Sequence, residues 1–106
     1  MMKEYNKLIR DRIPEIIEKT GNEYEVEELD DKIYLESLDK KLQEELEEYL
    51  ESGEIAELAD LVEVIYAILD HKDISRDEFE KIRLDKKEDR GGFAERLFLL
   101  RAEARD

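Results

Sequence analysis

The chain has no cysteine, one proline, one histidine and four glycines among its 106 residues. Without cysteine, neither a disulfide framework nor a thiolate metal site can form. The single histidine, His71, has no acidic residue three positions before it. That excludes a di-iron carboxylate bundle, which needs two Glu-x-x-His motifs. His71 is most simply read as a residue near a helix C-terminus, where positive charge is favourable. No apolar run approaches the length of a membrane span. Met1 to Arg10 is polar and lacks the apolar core of a signal peptide, so the expected protein is soluble and cytoplasmic. Positive charge is also scarce, with 18 Lys and Arg against 32 Asp and Glu and a net charge of −14. Phosphate-backbone binders are basic, so nucleic acid is not the expected partner. A nucleotide is still allowed, because a bound metal can reverse the local field.

Charged residues make up 47% of the chain and hydrophobic ones 41%. A disordered acidic chain would lack that apolar fraction, so one folded helical domain over 1–106 is expected. A first helix is predicted from near Asp11, with Pro14 in its first turn and Gly21 ending it. Asn22 to Asp30 has no helical stripe, and Tyr24-Glu25-Val26 is a candidate short extended piece. A long helix is predicted from about Asp31 to Glu51, with Tyr34, Leu35, Leu38, Leu42, Leu46, Tyr49 and Leu50 as its apolar stripe. Ser52-Gly53 breaks it. The next helix, about Glu54 to His71, is apolar around most of its circumference, which calls for burial on several sides. A chain this small cannot supply that alone, so a homodimer or higher homo-oligomer is expected. Ser75 with Glu78 reads as a capping box opening a fourth helix to about Arg90. Gly91-Gly92 ends it, and Phe93 to Leu100 is apolar enough to pack back as helix or strand.

Two acidic pairs flank the Ser52-Gly53 break: Glu45 with Glu48, and Glu57 with Asp60. Residues three apart lie about one turn apart on the same surface, and the break lets the two helices face each other as a hairpin. Carboxylates three apart arise often by chance among 32 acidic residues, so position on the helix carries more weight than spacing. Glu45 falls between Tyr34 and Leu38 on the apolar arc, and Glu48 flanks it. Glu57 falls between Val64 and Ile68, Asp60 between Ala67 and Val64, and Glu63 on a flank. Glu44, Glu47 and Glu51 fall on the solvent side. Burying Glu57 and Asp60 requires a cation, and no Lys or Arg lies between Lys41 and Lys72. The wheel therefore favours a metal over a salt bridge. Oxygen-only ligands with room for water suit Mg²⁺, or Mn²⁺, rather than zinc.

Arg83, Lys86 and Arg90 share one face of the fourth helix before Gly91-Gly92. They read either as a solvated face pairing with Glu80, Glu88 and Asp89 or as a phosphate holder. Lys7, Arg10 and Arg12 raise the same choice near the N-terminus.

Glu44-Glu45-x-x-Glu48 followed by Glu57-x-x-Asp60 resembles the signature of MazG-like all-α nucleoside triphosphate pyrophosphohydrolases. Tyr5-Asn6-Lys7-Leu8-Ile9-Arg10-Asp11-Arg12-Ile13-Pro14-Glu15 and Arg83-Leu84-Asp85-Lys86-Lys87-Glu88-Asp89-Arg90-Gly91-Gly92-Phe93 are similar to the opening and closing segments of its phosphoribosyl-ATP pyrophosphohydrolase-like subgroup. Only eight residues separate Glu48 from Glu57, a shorter spacer than is usual in the superfamily. The resemblance implies an all-α MazG-like bundle around a metal-binding helical hairpin. It implies cleavage of a nucleoside triphosphate between its α- and β-phosphates, giving monophosphate and pyrophosphate. By the same resemblance Glu45, Glu48, Glu57 and Asp60 would hold Mg²⁺, and Glu44 or Glu63 would accept the water's proton. Lys7, Arg10, Arg83, Lys86 and Arg90 would be phosphate or subunit-bridging cations. The contrasting expectation is a non-catalytic acidic helical module for dimerisation or partner binding.

Overall fold

The computed structural model describes residues 3–104. Its regular structure is entirely helical, with α1 (Ile13–Lys19), α2 (Asp31–Ser52), α3 (Ile55–His71) and α4 (Arg76–Arg90). Two compact units make up the chain, Met1–Ile74 and Ser75–Asp106. Among the described residues no helix is long and apolar enough to cross a membrane.

In the first unit, α1 is shorter than the sequence suggests. Pro14 has no N–H to give the Arg10 carbonyl, and the Ile13 N–H takes that carbonyl instead at 3.1 Å. The helix is therefore held from Ile13 on, and Asp11 and Arg12 form a turn before it. Thr20 closes the other end, ahead of Gly21 at φ +79°. Residues 22–30 are neither helix nor strand, which corrects the extended reading of Tyr24-Glu25-Val26. A lone extended segment has no neighbour to take its N–H and C=O groups, and here Tyr24 and Val26 are exposed.

The centre of this unit is an antiparallel hairpin of α2 and α3, which pack against each other. Asp30 opens α2 by accepting the Ile33 N–H at 2.9 Å on Oδ1, which satisfies one of the orphan donors of the first turn. Gly53, at φ +69°, ends it and gives its N–H to the Tyr49 carbonyl at 2.7 Å. Such left-handed backbone suits glycine, which has no Cβ to clash. Glu54 then stands at the N-cap of α3, its N–H held at 3.2 Å by Ser52 Oγ. The turn thus consists of Gly53 and Glu54 alone. At the far end the rings of Tyr34 and His71 meet edge to face, 5.4 Å apart. The hairpin is pinned at both ends, and the acidic residues lie on the turn side of its middle.

Its core is small. Among the described residues, Leu38 and Val64 are the buried hydrophobic ones and Glu45 the buried charged one. Leu46 and Val62 are more than two-fifths exposed, and Leu50 and Ile55 more than two-thirds. The all-round apolarity of α3 is therefore not absorbed within one chain.

In the second unit, Ser75 caps α4 by accepting the Glu78 N–H at 3.1 Å. The Glu78 carboxylate accepts from the Ser75 hydroxyl at 3.2 Å, a variation on the expected box. Gly91 ends α4 at φ +82°. The following segment corrects a second expectation: Phe93 to Leu100 is neither helix nor strand, and Phe93, Leu97, Phe98, Leu99 and Leu100 are exposed. It makes one turn, closed by the Arg96 N–H on the Phe93 carbonyl at 3.1 Å, and beyond that it has no ladder partner to form a strand against.

Candidate metal centre

Glu45 projects from α2, and Glu57 and Asp60 from α3. One carboxylate oxygen of each lies within 4.8 Å of the other two. The hairpin produces this directly. Glu57 and Asp60 share a face because they are one turn apart, and the two-residue turn folds that face onto the buried side of α2.

Glu45 is the anomalous member. Its side chain is only 9% exposed, and its Oε2 has no hydrogen-bond partner. An orphaned carboxylate oxygen away from water is costly. Its other oxygen, Oε1, lies 3.6 Å from Lys41 Nζ, one helical turn earlier. Burial pushes the Glu45 carboxyl above its ordinary range, and the neighbouring negative charge of Glu48 adds to the rise. Lys41 opposes that rise, and Asp60 adds to it. Glu57 is also pushed up, by desolvation first and then by the charges of Glu48 and Asp60. Glu48 therefore borders both, although it is exposed and lies outside the three-oxygen cluster.

Asp60 has a partner. Arg10, from the segment before α1, donates through Nη2 to Asp60 Oδ1 at 2.6 Å. Both side chains are substantially exposed, at 55% and 40%, so this is a wet ion pair rather than a sealed one. The cation that the sequence demanded for Asp60 therefore comes in part from the N-terminal segment. Asp60 and Glu57 are half-buried, not enclosed.

The remaining candidates divide. Glu44, expected on the solvent side, is half-buried and lies 3.6 Å from Lys41 Nζ. Glu63 is exposed and outside the cluster. Lys7 stands over the Tyr5 ring, its Nζ 5.5 Å from the centroid. On α4, Arg83 is ion-paired with Glu80 and holds that carboxyl below its ordinary range. Arg90 Nε lies 4.0 Å from Asp89 Oδ2, and Lys86 is exposed. Two roles were missed from sequence: Lys41 as the cation beside Glu45, and Arg10 as the partner of Asp60. The first had a signal, since Lys41 precedes Glu45 by four positions, which puts the two side chains side by side on the helix, although Lys before Glu is the weaker order for such a pair.

The donor set is all carboxylate oxygen, which is hard and anionic and suits Mg²⁺ or Mn²⁺. The unpartnered Oε2 of Glu45 gives an independent reason for a cation at this point. No protein-family model matches the chain, and no curated protein or solved structure matches it either.

Proposed function

We propose that the protein is a Mg²⁺-dependent nucleoside triphosphate pyrophosphohydrolase of the MazG-like kind, cleaving between the α- and β-phosphates in a house-cleaning role. The observation that carries the reading is the buried Glu45 carboxylate, one oxygen of it unpartnered, set within reach of Glu57 and Asp60. The order of acidic and flanking motifs supplies the reaction class.

In this reading Glu45, Glu57 and Asp60 hold the metal, with Glu48 at its edge. When bound, Mg²⁺ would neutralise phosphate oxygens and lower the pKa of an attacking water. Glu44, half-buried, and Glu63, exposed, are the two candidates to accept the water's proton, and both stand outside the three-oxygen cluster. Arg10 can leave Asp60 for a substrate phosphate, because its present pair is solvated and weak. Arg83, Lys86 and Arg90 keep their proposed phosphate or subunit-bridging role. The exposed Leu46, Leu50, Ile55 and Val62 support a homo-oligomer built on the hairpin.

One observation favours the second reading, a non-catalytic acidic module for dimerisation or partner binding. Lys41 and Arg10 already offset two of the carboxylates without a metal. The deciding experiment measures Mg²⁺-dependent pyrophosphate release from a panel of ordinary and modified nucleoside triphosphates. Release that is lost in folded Glu45→Gln and Asp60→Asn variants supports the hydrolase. No release from any nucleotide, with no effect of Mg²⁺ on melting, leaves the binding module.

A further inference from the structure

At about 100° per residue, Ile55 lies on the side of α3 opposite the buried Val64, away from the carboxylate cluster. With Ala59, Val62, Tyr66 and Leu69 it forms a stripe at i, i+4, i+7, i+11 and i+14, the spacing of a coiled-coil seam. Ile55, Ala59 and Val62 are exposed, and Tyr66 and Leu69 are half-buried. The charged border of the stripe is acidic. Glu63 and Asp70 flank it, both exposed, and α3 contains no Lys or Arg. Two such stripes facing each other would set acid against acid, which is costly. Whatever covers this one must bring both an apolar stripe and its own cations.

Residues 93–104 carry that combination. Phe93, Leu97, Leu100 and Ala104 repeat the same seam spacing, and on a helix Arg96 and Arg101 would border it on either side. Except for Phe93 and Phe98, every residue of this stretch is Ala, Leu, Glu or Arg, all strong helix formers. Beyond one turn at Phe93–Arg96 it is nevertheless not helical, and Phe93, Leu97 and Leu100 are exposed. A helix of about twelve residues is marginal in water and depends on docking its apolar stripe. The surface area points to a second chain as the dock. Two separate compact units with the chain's total mass of 12.7 kDa would expose about 7,400 Å², whereas this chain exposes 10346 Å². The excess of about 3,000 Å² is more than the roughly 1,000–2,500 Å² that an obligate homodimer covers on each partner. We propose that residues 93–104 of one copy fold into a helix along the outer stripe of α3 in a second copy, and reciprocally. The arginines of the incoming helix offset Glu63 and Asp70. This contact presupposes the homo-oligomer of the reading above and is independent of hydrolysis.

The chain has no cysteine, so introduced cysteines report this contact alone. Full-length Val62→Cys and Leu97→Cys proteins, both still apolar at the changed position, are mixed and treated with a bismaleimide spanning about 10 Å, two helical turns. The mixture is expected to give a covalent dimer, and either variant alone little of it. By sedimentation velocity, Leu97→Glu and Leu100→Glu, on the stripe, turn the wild-type oligomer into monomer. Leu99→Glu, about a third of a turn off the stripe, leaves it assembled. Helicity rises with chain concentration in wild type and Leu99→Glu and stays flat in Leu97→Glu. A monomeric wild type overturns the docking and the oligomer together. An oligomer that survives Leu97→Glu and Leu100→Glu, with no cross-link in the mixture, overturns the docking alone. A Val62→Cys/Leu97→Cys double variant that links only within one chain overturns it as well.

Discussion

Arg10 Nη2 and Asp60 Oδ1 are 2.6 Å apart, although the two residues stand fifty positions apart in the chain. The guanidinium occupies one oxygen of a carboxylate whose neighbours, Glu45 and Glu57, converge on the same point. Arg10 is thus a resident cation where a divalent one is proposed.

Removing it separates the two roles. Arg10→Ala is expected to cost no more than about 1 kcal/mol of stability, since the pair is exposed and screened. It is expected to tighten Mg²⁺ binding, because Asp60 is released, while slowing any hydrolysis that uses Arg10 on phosphate. Titration calorimetry with Mg²⁺ alone reads the first effect. Unchanged or weaker Mg²⁺ affinity would show that the guanidinium does not compete at this carboxylate.

Glu45→Gln should act in opposite directions with and without metal. In EDTA the variant is expected to be as stable as wild type or slightly more so, because a buried charge with an orphaned oxygen is gone. In Mg²⁺ wild type should gain about 2.7 kcal/mol at a hundredfold excess over Kd. For a chain of this size that is a rise of about 10 °C or more. The variant should gain almost nothing. A variant that still responds like wild type would remove Glu45 from the site.

The titration of the cluster gives a direction for pH. Glu45 and Glu57 have native values raised above 4.5. A carboxyl raised in the folded state binds its proton more tightly there than in the unfolded chain. Its contribution to stability is fully present below 4.5 and is lost as pH rises through the raised native values. Glu80, held down by Arg83, works the other way, but it is exposed and screened. The metal-free protein is therefore expected to melt higher near pH 5 than near pH 8, and Mg²⁺ should reverse the trend by displacing those protons. Melting curves in EDTA that rise steadily with pH would contradict the assignment.

The hairpin's outer surface makes a separate prediction. Leu50 and Ile55 are 71% and 77% exposed, one on each side of the turn. Leu50→Glu or Ile55→Lys should shift the protein toward monomer by sedimentation velocity, at micromolar concentration, while helicity is kept. A wild type that sediments as a monomer would discard the oligomer.

Asp30→Ala tests a local signal. The side chain accepts the Ile33 N–H, and losing such a cap costs about 1 kcal/mol. That corresponds to a fall of about 4–8 °C in Tm for a domain of this size.

These residues also show what could be read from sequence and what could not. The bounds of α2, α3 and α4 are legible because Asp30, Gly53 and Ser75 act within four residues of themselves. The convergence of Glu45, Glu57 and Asp60 is legible for the same reason, since one hairpin contains all three. The segments 22–30 and 93–100 were harder, because extended structure needs a partner that composition does not name. Glu44 was misplaced because a helical wheel knows only its own helix, whereas the wall beside it comes partly from residues 6–8. The Arg10–Asp60 pair has no signature at a separation of fifty.

That difference in separation also orders events when the molecule loosens. The three carboxylates are brought together by a turn of two residues, so little chain entropy opposes their meeting. Arg10 is brought to them by closing a loop of fifty residues, and loop entropy grows with length. As temperature rises, the guanidinium segment is expected to come away while the hairpin still stands. The carboxylates then face one another with a cation removed, and free Mg²⁺ gains its strongest hold on a partly opened chain.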